Sequence, residues 1–406
     1  MAKKVCILGG GASGLYCAMH MKLMHPAMEV TVLERGARVG KKLLATGNGK
    51  CNFTNLNQSK TCYSGESTDM AFALVQAHPP KDIIHIFAEI GVESIEKNGL
   101  VYPRSQQAAS VLDALRFKLE ALGVHIRTDF EVKATKKQGD VFVLSGTAQE
   151  KCDAVVIASG TAASGGSAIG VKLLRSFGHT AATVYPALTP VMCDTSYTKL
   201  AKGMRAQCSV QLCKNGAPIA SESGEVLFTE YGISGICIMQ LSRHISKAKA
   251  ENEKASFHFE IDFAPEKNEA DLLAFYINRR QTLGYLQTSE FLDGYLNKKI
   301  GQAVLKSCGI TDFNAPASNL TDAQLTNLTK ETKCFKLEIS GVLDASHAQA
   351  CGGGIRLSEF TEHLESTKTK NLFACGEVLD VLGDCGGYNL TWAWASAYAV
   401  ARGVNK

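Results

Sequence analysis

Short apolar runs that end in small residues or an acid recur along the chain, and they predict buried parallel strands. The first covers residues 5–8, after which residues 15–25 carry the small and apolar side chains of a packed helix. Residues 29–34 form a second run that ends in an acid. Two similar runs cover residues 153–160 and 371–377. The pattern predicts an α/β sheet that takes strands from both ends of the chain.

The middle of the chain changes to alternating apolar and polar positions, which are typical of half-buried strands. Short strands are predicted up to about residue 263, with turns at residues 214–216 and 223–224. A small meander is predicted at residues 131–144. From residue 268 to 308 the apolar positions follow a helical period. We therefore predict an inserted β-barrel-like module that carries a helical cap.

Composition limits the classes of function. The 406 residues are 45% hydrophobic and carry a net charge of +4, which is typical of a globular protein with two or three domains. The charge is too mild to indicate a nucleic-acid partner. The sequence has no apolar run of 18 residues and begins without a signal-peptide pattern, so we expect no membrane contact and a cytoplasmic location.

Fourteen cysteines are scattered along the chain without a Cys-x-x-Cys pair. That spacing argues against a zinc ribbon and against a thioredoxin-type redox couple. We expect free thiols and predict no metal site. Cys51 lies in a glycine-rich loop, where a buried inert thiol is favoured over a reactive one.

The first strand runs directly into a G-x-G-x-x-G motif at Gly9, Gly11 and Gly14. Gly9 turns the chain, Gly11 lets the backbone approach a pyrophosphate, and Gly14 lets the helix pack closely on the sheet. The helix N-terminus offers bare N–H groups to phosphate. Glu34 follows Gly14 by 20 residues, the spacing of a ribose-binding carboxylate. Together these features predict dinucleotide binding, without separating FAD from NAD.

Two further segments favour FAD. Residues 40–55 form a glycine-rich loop that we expect to close over a cofactor. Near the C-terminus a strand ends at Gly376 and Glu377, and an acid in that position hydrogen-bonds the ribityl chain of many flavoproteins. Glycines before the last helix present N–H groups that we expect to face the flavin ring. In that helix we assign Trp392 and Trp394 to core packing, whereas Asp384 is either a cap or a flavin ligand.

We predict one set of cofactor contacts from these segments. Its members are Gly9, Gly11, Ala12, Ser13, Gly14, Glu34, Arg35, Lys42, Thr46, Gly47, Asn48, Gly49, Val132, Ser159, Gly160, Gly376, Glu377, Gly387, Tyr388 and Asn389.

With these motifs in place, the chain resembles the BaiN-like flavoproteins, a family that includes aminoacetone oxidase. The resemblance covers nearly the whole chain. Its motifs are residues 9–14, 42–55, 225–229 with 232–235, 352–355, and 376–380 with 386–389. The family commonly has Arg at the position of Lys50 and an aromatic-Pro pair near residues 161–163. These departures leave FAD binding intact and bear on substrate identity.

The resemblance implies an α/β fold in which a Rossmann-type FAD-binding domain, built from both chain ends, is interrupted by the β-barrel-like domain and the helical cap. We assign residues 1–188 and 349–406 to the FAD-binding domain. The barrel takes residues 189–265 and 321–348, and the cap takes residues 266–320.

The resulting hypothesis is an FAD-dependent oxidoreductase. It transfers a hydride between NAD(P)H or a small organic substrate and an organic acceptor or oxygen, and NAD(P)H docks transiently because only one dinucleotide motif is complete. The alternatives are a non-catalytic FAD-binding sensor and an RNA-modifying flavoprotein. No general acid or base stands out by sequence: His244, His258 and His347 are candidates by residue type alone, and Tyr231 and Tyr388 are candidate proton donors. The oligomeric state is left open.

Overall fold

The computed structural model describes residues 2–405 of the chain. Contacts between Cα atoms divide the chain into two compact units. The first consists of Met1–Tyr185 and Gln349–Lys406, and the second of Pro186–Ala348.

The helices and strands follow one another in this order. The first segment contains β1 (Lys4–Leu8), α1 (Ala12–Met24), β2 (Glu29–Leu33), α2 (Lys41–Ala45), β3 (Thr54–Asn55), β4 (Tyr63–Ser64), α3 (Thr68–Ala77), α4 (Pro80–Glu89), β5 (Ser94–Lys97), β6 (Leu100–Pro103), α5 (Ala108–Ala121), β7 (His125–Arg127), β8 (Val132–Gln138), β9 (Val141–Gly146), β10 (Gln149–Cys152), β11 (Ala154–Ile157), α6 (Ile169–Ser176) and β12 (Ala181–Ala187). The middle segment contains β13 (Val191–Cys193), α7 (Thr195–Thr198), β14 (Arg205–Lys214), β15 (Ala217–Phe228), β16 (Gly232–Ser234), α8 (Ile236–Ala250), β17 (Phe257–Asp262), α9 (Glu269–Leu283), α10 (Lys298–Ser307), α11 (Asp322–Lys333) and β18 (Phe335–Val342). The last segment contains β19 (Ala350–Ile355), β20 (Leu372–Ala374), β21 (Leu382–Gly383) and α12 (Tyr388–Gly403).

The first unit is built on a parallel sheet with the strand order β20-β11-β1-β2-β7. Val5 of β1 pairs with Ala154 on one side and with Val30 on the other, and β20 adds a strand from the C-terminal segment. Ile7 and Val32 are fully buried, as the continuous apolar runs require in a sheet that is covered on both faces. The predicted Rossmann-type sheet with strands from both chain ends is confirmed.

Helices α1 and α12 pack closely together in this unit. Trp392 and Trp394 of α12 are buried in its core, and each indole N–H finds a backbone acceptor. Trp392 donates to the carbonyl of Gly376 at 3.1 Å, and Trp394 donates to the carbonyl of Phe53 at 2.8 Å. The two indoles therefore tie the last helix to the end of β20 and to the loop before β3.

The second unit contains a closed barrel with the strand order β13-β16-β15-β14-β17-β18, and β13 pairs with β18 to close it. Alternate side chains of β14 and β17, such as Leu212, Phe259 and Ile261, are fully buried. The barrel is the antiparallel module that the alternating pattern predicts. The predicted turn at residues 214–216 joins β14 to β15, with Asn215 and Gly216 at positive φ.

Three features of the second unit differ from the sequence prediction. Residues 223–224 are not a turn, because they lie inside the long strand β15 and pair with β14. The region predicted as strands contains helix α8, whose buried residues Ile238, Leu241 and Ile245 follow a helical period. The barrel's return strand β18 begins only after α11.

The helical stretch predicted from residue 268 to 308 is broken into α9 and α10. Helix α9 ends at Leu283, and Gly284 follows as its C-cap, where a Cβ atom would lie 2.6 Å from the carbonyl oxygen of Arg280 and 3.0 Å from Cβ of Ser318. Arg279 then donates hydrogen bonds to the carbonyls of Phe291 and Asp293 and fixes the connecting loop. No helix within residues 2–405 is long and apolar enough to cross a membrane.

Candidate functional site

A cavity of about 620 Å³ lies within the first unit at the carboxyl ends of β1, β2 and β11. Ligands of open α/β sheets bind at this edge, and the volume falls within the roughly 300–1,000 Å³ of small-molecule sites. Glycines of the first βα turn form one wall, and residues that follow β2 and β11 form others.

The first wall is the turn between β1 and α1. Gly9 has φ of +111°, and a Cβ there would lie 2.5 Å from the carbonyl oxygen of Ala158. Gly11 is open, since a Cβ built on it meets no atom within 4 Å. The first intrahelical bond of α1 runs from the N–H of Leu15 to the carbonyl of Gly11 at 3.0 Å, so earlier N–H groups have no intrahelical partner. The turn therefore presents donors to an anion.

Gly14 serves the packing of α1 on the sheet and does not line the cavity. A Cβ on Gly14 would lie 1.9 Å from the carbonyl oxygen of Gly9. Only glycine allows the helix to start this close to the strand.

Glu34 follows β2 and lines the cavity. Its carboxylate accepts the N–H of Gly10 and the N–H of Gly36, each at 2.8 Å. A carboxylate has about four lone-pair sites, so it retains capacity for the hydroxyls of a ligand. The two bonds also fix the carboxylate against the turn between β1 and α1.

Basic side chains follow the same strand. Arg35, Arg38 and Lys41 all line the cavity. The guanidinium of Arg35 donates to the carbonyl of Gly165 at 2.8 Å and so holds the segment after β11. These cations favour an anionic ligand.

Glu377 supplies a second carboxylate at the cavity. It forms an ion pair with Lys42, and its other oxygen accepts the Thr161 hydroxyl and the N–H of Cys351, each at 2.8 Å. This network joins α2, the segment after β11, and β19, so it fixes three parts of the cavity wall to the end of β20.

The N-terminus of α12 contributes Asn389, Leu390 and Trp392 to the wall. The Asn389 amide accepts the N–H of Gly383 at 2.9 Å and donates to its carbonyl at 2.7 Å. Gly387 takes the cap position with φ of +94°, and α12 has no side-chain cap. Whether Asp384 caps α12 or contacts a flavin stays a prediction.

Many of the predicted contacts line this one cavity. They are Gly9, Gly11, Ala12, Ser13, Glu34, Arg35, Lys42, Thr46, Val132, Ser159, Gly160, Glu377 and Asn389. The predicted residues outside the wall are Gly14, Gly47, Asn48, Gly49, Gly376, Gly387 and Tyr388. Their contact with a cofactor stays a prediction, and the Tyr388 hydroxyl donates to the carbonyl of Asn57 at 2.9 Å.

Sequence reasoning missed several residues of the wall. Gly10, Gly36, Arg38, Lys41, Phe130, Thr161, Ser164, Gly165, Gln349, Ala350 and Trp392 are among them. Gly10 and Gly36 are adjacent in the chain to predicted contacts, so they could have been predicted from that position. Gln349 and Ala350 carry no motif, and only the topology places them at this edge.

The other reactive candidates lie elsewhere or are inert. Cys51 is fully buried, and burial raises the pKa of its thiol to about 12. The thiol is therefore protonated near neutral pH. His244, His258 and His347 belong to the second unit and do not line this cavity. Burial lowers the pKa of His244, and His347 pairs with Asp344 at 3.0 Å.

The wall fits the FAD expected from the sequence. Gly11 leaves space that any side chain would fill, beside the bare N-terminus of α1. Ser159, another wall residue, has a buried hydroxyl without a hydrogen-bond partner among the described residues. A dinucleotide would meet donors at its phosphates and the Glu34 carboxylate at a ribose.

The fold and this wall define an FAD-binding oxidoreductase of the Rossmann type. Residues 3–403 match the model of the HI0933-like protein Rossmann domain, and the chain belongs to this family. A 3-dehydro-bile acid delta(4,6)-reductase of Clostridium scindens is 36% identical over 404 residues, with 98% of each chain covered. These two matches confirm the resemblance to the BaiN-like flavoproteins.

More distant similarities extend over the whole chain as well. A ribosomal RNA dihydrouridine synthase of Haemophilus influenzae is 27% identical over 412 residues, with 98% of each chain covered. The solved structure of a 3-ketosteroid delta1-dehydrogenase from Sterolibacterium denitrificans, in complex with 1,4-androstadiene-3,17-dione, has a TM-score of 0.54 and 10% identity, with 99% of each chain covered. At that identity the likeness shows the fold alone.

Proposed function

We propose that this protein is an NAD(P)H-linked reductase that uses non-covalent FAD to reduce a small organic acceptor. One observation carries the proposal: the bare N-terminus of α1, the Glu34 carboxylate and the Glu377 network line a single cavity. This combination suits a dinucleotide with an anionic centre and a ribose at one end.

The chain's residues would divide the work along the cavity. The N–H groups of the turn at Gly11 would bind the pyrophosphate, and Arg38 would add a positive charge. Glu34 would accept hydrogen bonds from ribose hydroxyls. Glu377, held by Lys42, would face the polyol part of the cofactor and fix its orientation.

The bound FAD would supply hydride transfer between a nicotinamide and an organic substrate. The protein's share is to orient both molecules and to exclude water. Leu390, Trp392 and Ala393 give the wall near α12 an apolar surface. A dry wall strengthens electrostatic interactions and limits side reactions with solvent.

The relatives suggest the acceptor. The most informative is the reductase of 36% identity, whose name places its reaction at the delta(4,6) positions of a 3-dehydro-bile acid. We therefore propose that the acceptor is a carbon–carbon double bond conjugated to a ketone. A hydride and a proton would add across that bond, with NAD(P)H as the source of the hydride.

The test is an anaerobic titration of the FAD-loaded protein with NADH and with NADPH, followed by a conjugated steroid ketone. The proposal predicts that the flavin absorbance bleaches with a nicotinamide and returns when the ketone is added, with formation of the saturated product. Flavin that both nicotinamides leave oxidised contradicts the nicotinamide link and favours a substrate-reduced oxidase or a sensor. If the reduced flavin is not reoxidised by the ketone and is reoxidised only when oxygen is admitted, the result contradicts the proposed acceptor.

RNA modification is a second candidate, because the Haemophilus relative is named a ribosomal RNA dihydrouridine synthase. It predicts tight RNA binding whose affinity falls steeply with salt. The measurement is a binding isotherm with ribosomal RNA at two salt concentrations. Weak binding without a salt dependence contradicts this candidate.

A further inference from the structure

A cysteine, a histidine and a glutamate meet on the outer face of the barrel in the second unit. Cys213 of β14 pairs directly with His258 of β17. Glu260 lies two residues beyond His258 on the same strand, so its side chain projects from the same face. The neighbouring residues Leu212 and Phe259 project into the barrel and are fully buried.

The ligand atoms are close enough to share one ion. One atom from each of Cys213, His258 and Glu260 lies within 4.8 Å of the other two. Nε2 of His258 lies 3.4 Å from Oε1 of Glu260. In a tetrahedral zinc site the bond lengths imply about 3.3–3.8 Å between ligand atoms, and the distance between His258 and Glu260 falls in that range.

Burial and access both suit a bound ion. Cys213 is 2% exposed and His258 is 8% exposed, which shields the site from bulk water. Glu260 is partly exposed and lines a surface pocket together with Cys334, so one of the three ligands is open to solvent. Lys336 pairs with Glu260 across the strands, but its ammonium forms an ion pair with Glu338 at 2.8 Å.

We propose that Cys213, His258 and Glu260 bind one Zn²⁺ ion. Thiolate, imidazole and carboxylate together form a donor set that zinc accepts, whereas calcium and magnesium require oxygen alone. Three protein ligands leave a fourth position for water or another donor. The site lies within the barrel unit and does not depend on the proposed redox function.

The thiol adds a second observable. A cysteine thiol is mostly protonated at neutral pH. Zinc binds the thiolate, so binding releases a proton into a weakly buffered solution. Proton release therefore distinguishes a sulfur-bound ion from one that rests on surface carboxylates.

The sequence hides this site because its ligands come from two strands that are far apart in the chain. The three ligands therefore do not show the short Cys and His spacings by which zinc sites are recognised in a sequence. The prediction of no metal site rested on those spacings alone.

The experiment uses the full chain loaded with FAD and freed of metal with a chelator. Equilibrium dialysis against Zn²⁺ with elemental quantification should give one ion per chain, and Co²⁺ should give a thiolate charge-transfer band in a difference spectrum. We expect Cys213→Ser and His258→Gln to weaken binding about tenfold or more. His347→Gln is the matched control, because His347 also pairs with a carboxylate but has no thiol in that pair.

Retention of full zinc affinity by both cluster variants, or no stoichiometric zinc in the parent protein, would overturn the proposal. If Cys213→Ser fails to fold, Glu260→Gln replaces it, since that side chain is partly exposed and its replacement keeps the shape. The FAD content of each variant reports folding of the other unit and should stay unchanged.

Discussion

The hydroxyl of Thr161 donates a hydrogen bond to Oε1 of Glu377 at 2.8 Å. Residue 161 follows β11 and residue 377 follows β20, so the bond joins the two chain segments that build the first unit. The ion pair between Lys42 and Glu377 ties α2, a second part of the N-terminal segment, to the same carboxylate. A cavity assembled from distant segments needs such ties, because no local motif fixes their relative positions.

Replacement of Glu377 tests that network. Glu377→Gln removes the charge that Lys42 pairs with, and we expect FAD affinity to fall about tenfold, since hydrogen bonds to charged groups contribute about 1.5–3 kcal/mol. Fluorescence titration of the FAD-free protein with FAD measures this change. Glu230→Gln, an exposed position of the second unit, is the control and should bind FAD normally. Equal affinities in the two variants would argue against the network.

Substitutions at Gly11 and Gly14 should distinguish an effect on cofactor binding from an effect on folding. Gly11→Ala fills open space at the cavity, and its φ of −84° suits alanine, so we expect a folded protein with little FAD. Gly14→Ala places a methyl group 1.9 Å from a backbone oxygen, so we expect a lower melting temperature as well. Thermal unfolding and flavin content of both variants check the difference. A folded Gly11→Ala protein with full FAD would contradict the proposal that phosphate binds at the turn between β1 and α1.

Much of this site follows from the sequence, because its motifs are local. The glycines of the first turn and Glu34 are close in the chain, so strand, helix and spacing are visible together. Thr161, Gln349 and Trp392 reach the wall only through the parallel pairing of β20, β11 and β1. The order of strands in a sheet cannot be predicted from any short segment, and those residues were therefore missed.

The main strands of the fold were also predictable from the sequence, whereas two features of its helices were not. Continuous apolar runs marked the parallel strands, and alternation marked the barrel. Helix α8 was missed because the surrounding strands dominated the local pattern, although Ile238, Leu241 and Ile245 follow a helical period. The break after α9 depends on Gly284 and on the hydrogen bonds of Arg279 to the loop, which are tertiary effects.

Glu34 should stabilise the turn as well as the cofactor. Glu34→Ala leaves the N–H groups of Gly10 and Gly36 without their acceptor, and we expect about 1–3 kcal/mol less stability together with weaker FAD binding. Urea unfolding and FAD titration measure the two effects. Glu29→Ala at the start of the same strand is the control, since its ion pair with Lys4 is exposed. A Glu34→Ala protein as stable as this control would contradict the account.

Two buried histidines make stability depend on pH. Burial lowers the pKa of His20 to about 3 and that of His78 to about 4, so both stay neutral in the folded state. The unfolded chain protonates them below about pH 6.5. The contribution of the two histidines to the free energy of unfolding is therefore fully present above that pH. It is lost as the pH falls from about 6.5 toward about 4 for His78 and about 3 for His20, at up to about 1.4 kcal/mol per pH unit for each histidine.

Urea unfolding at several pH values measures that slope. We expect His20→Leu to reduce it, because the variant removes one of the two protonation sites and also a ring nitrogen without a partner among the described residues. His85→Gln, on an exposed part of α4, should leave the slope unchanged. Parallel pH profiles for the parent and His20→Leu would show that His20 does not carry the effect.

The flavin content of the purified protein tests the central claim most directly. The visible spectrum and the FAD released by heat should show one FAD per chain in the parent protein, either as isolated or after reconstitution. Gly11→Ala should remain folded and lose most of that FAD, because its methyl group fills the open space beside the N-terminus of α1. A parent protein that retains no flavin after reconstitution with FAD would contradict the account.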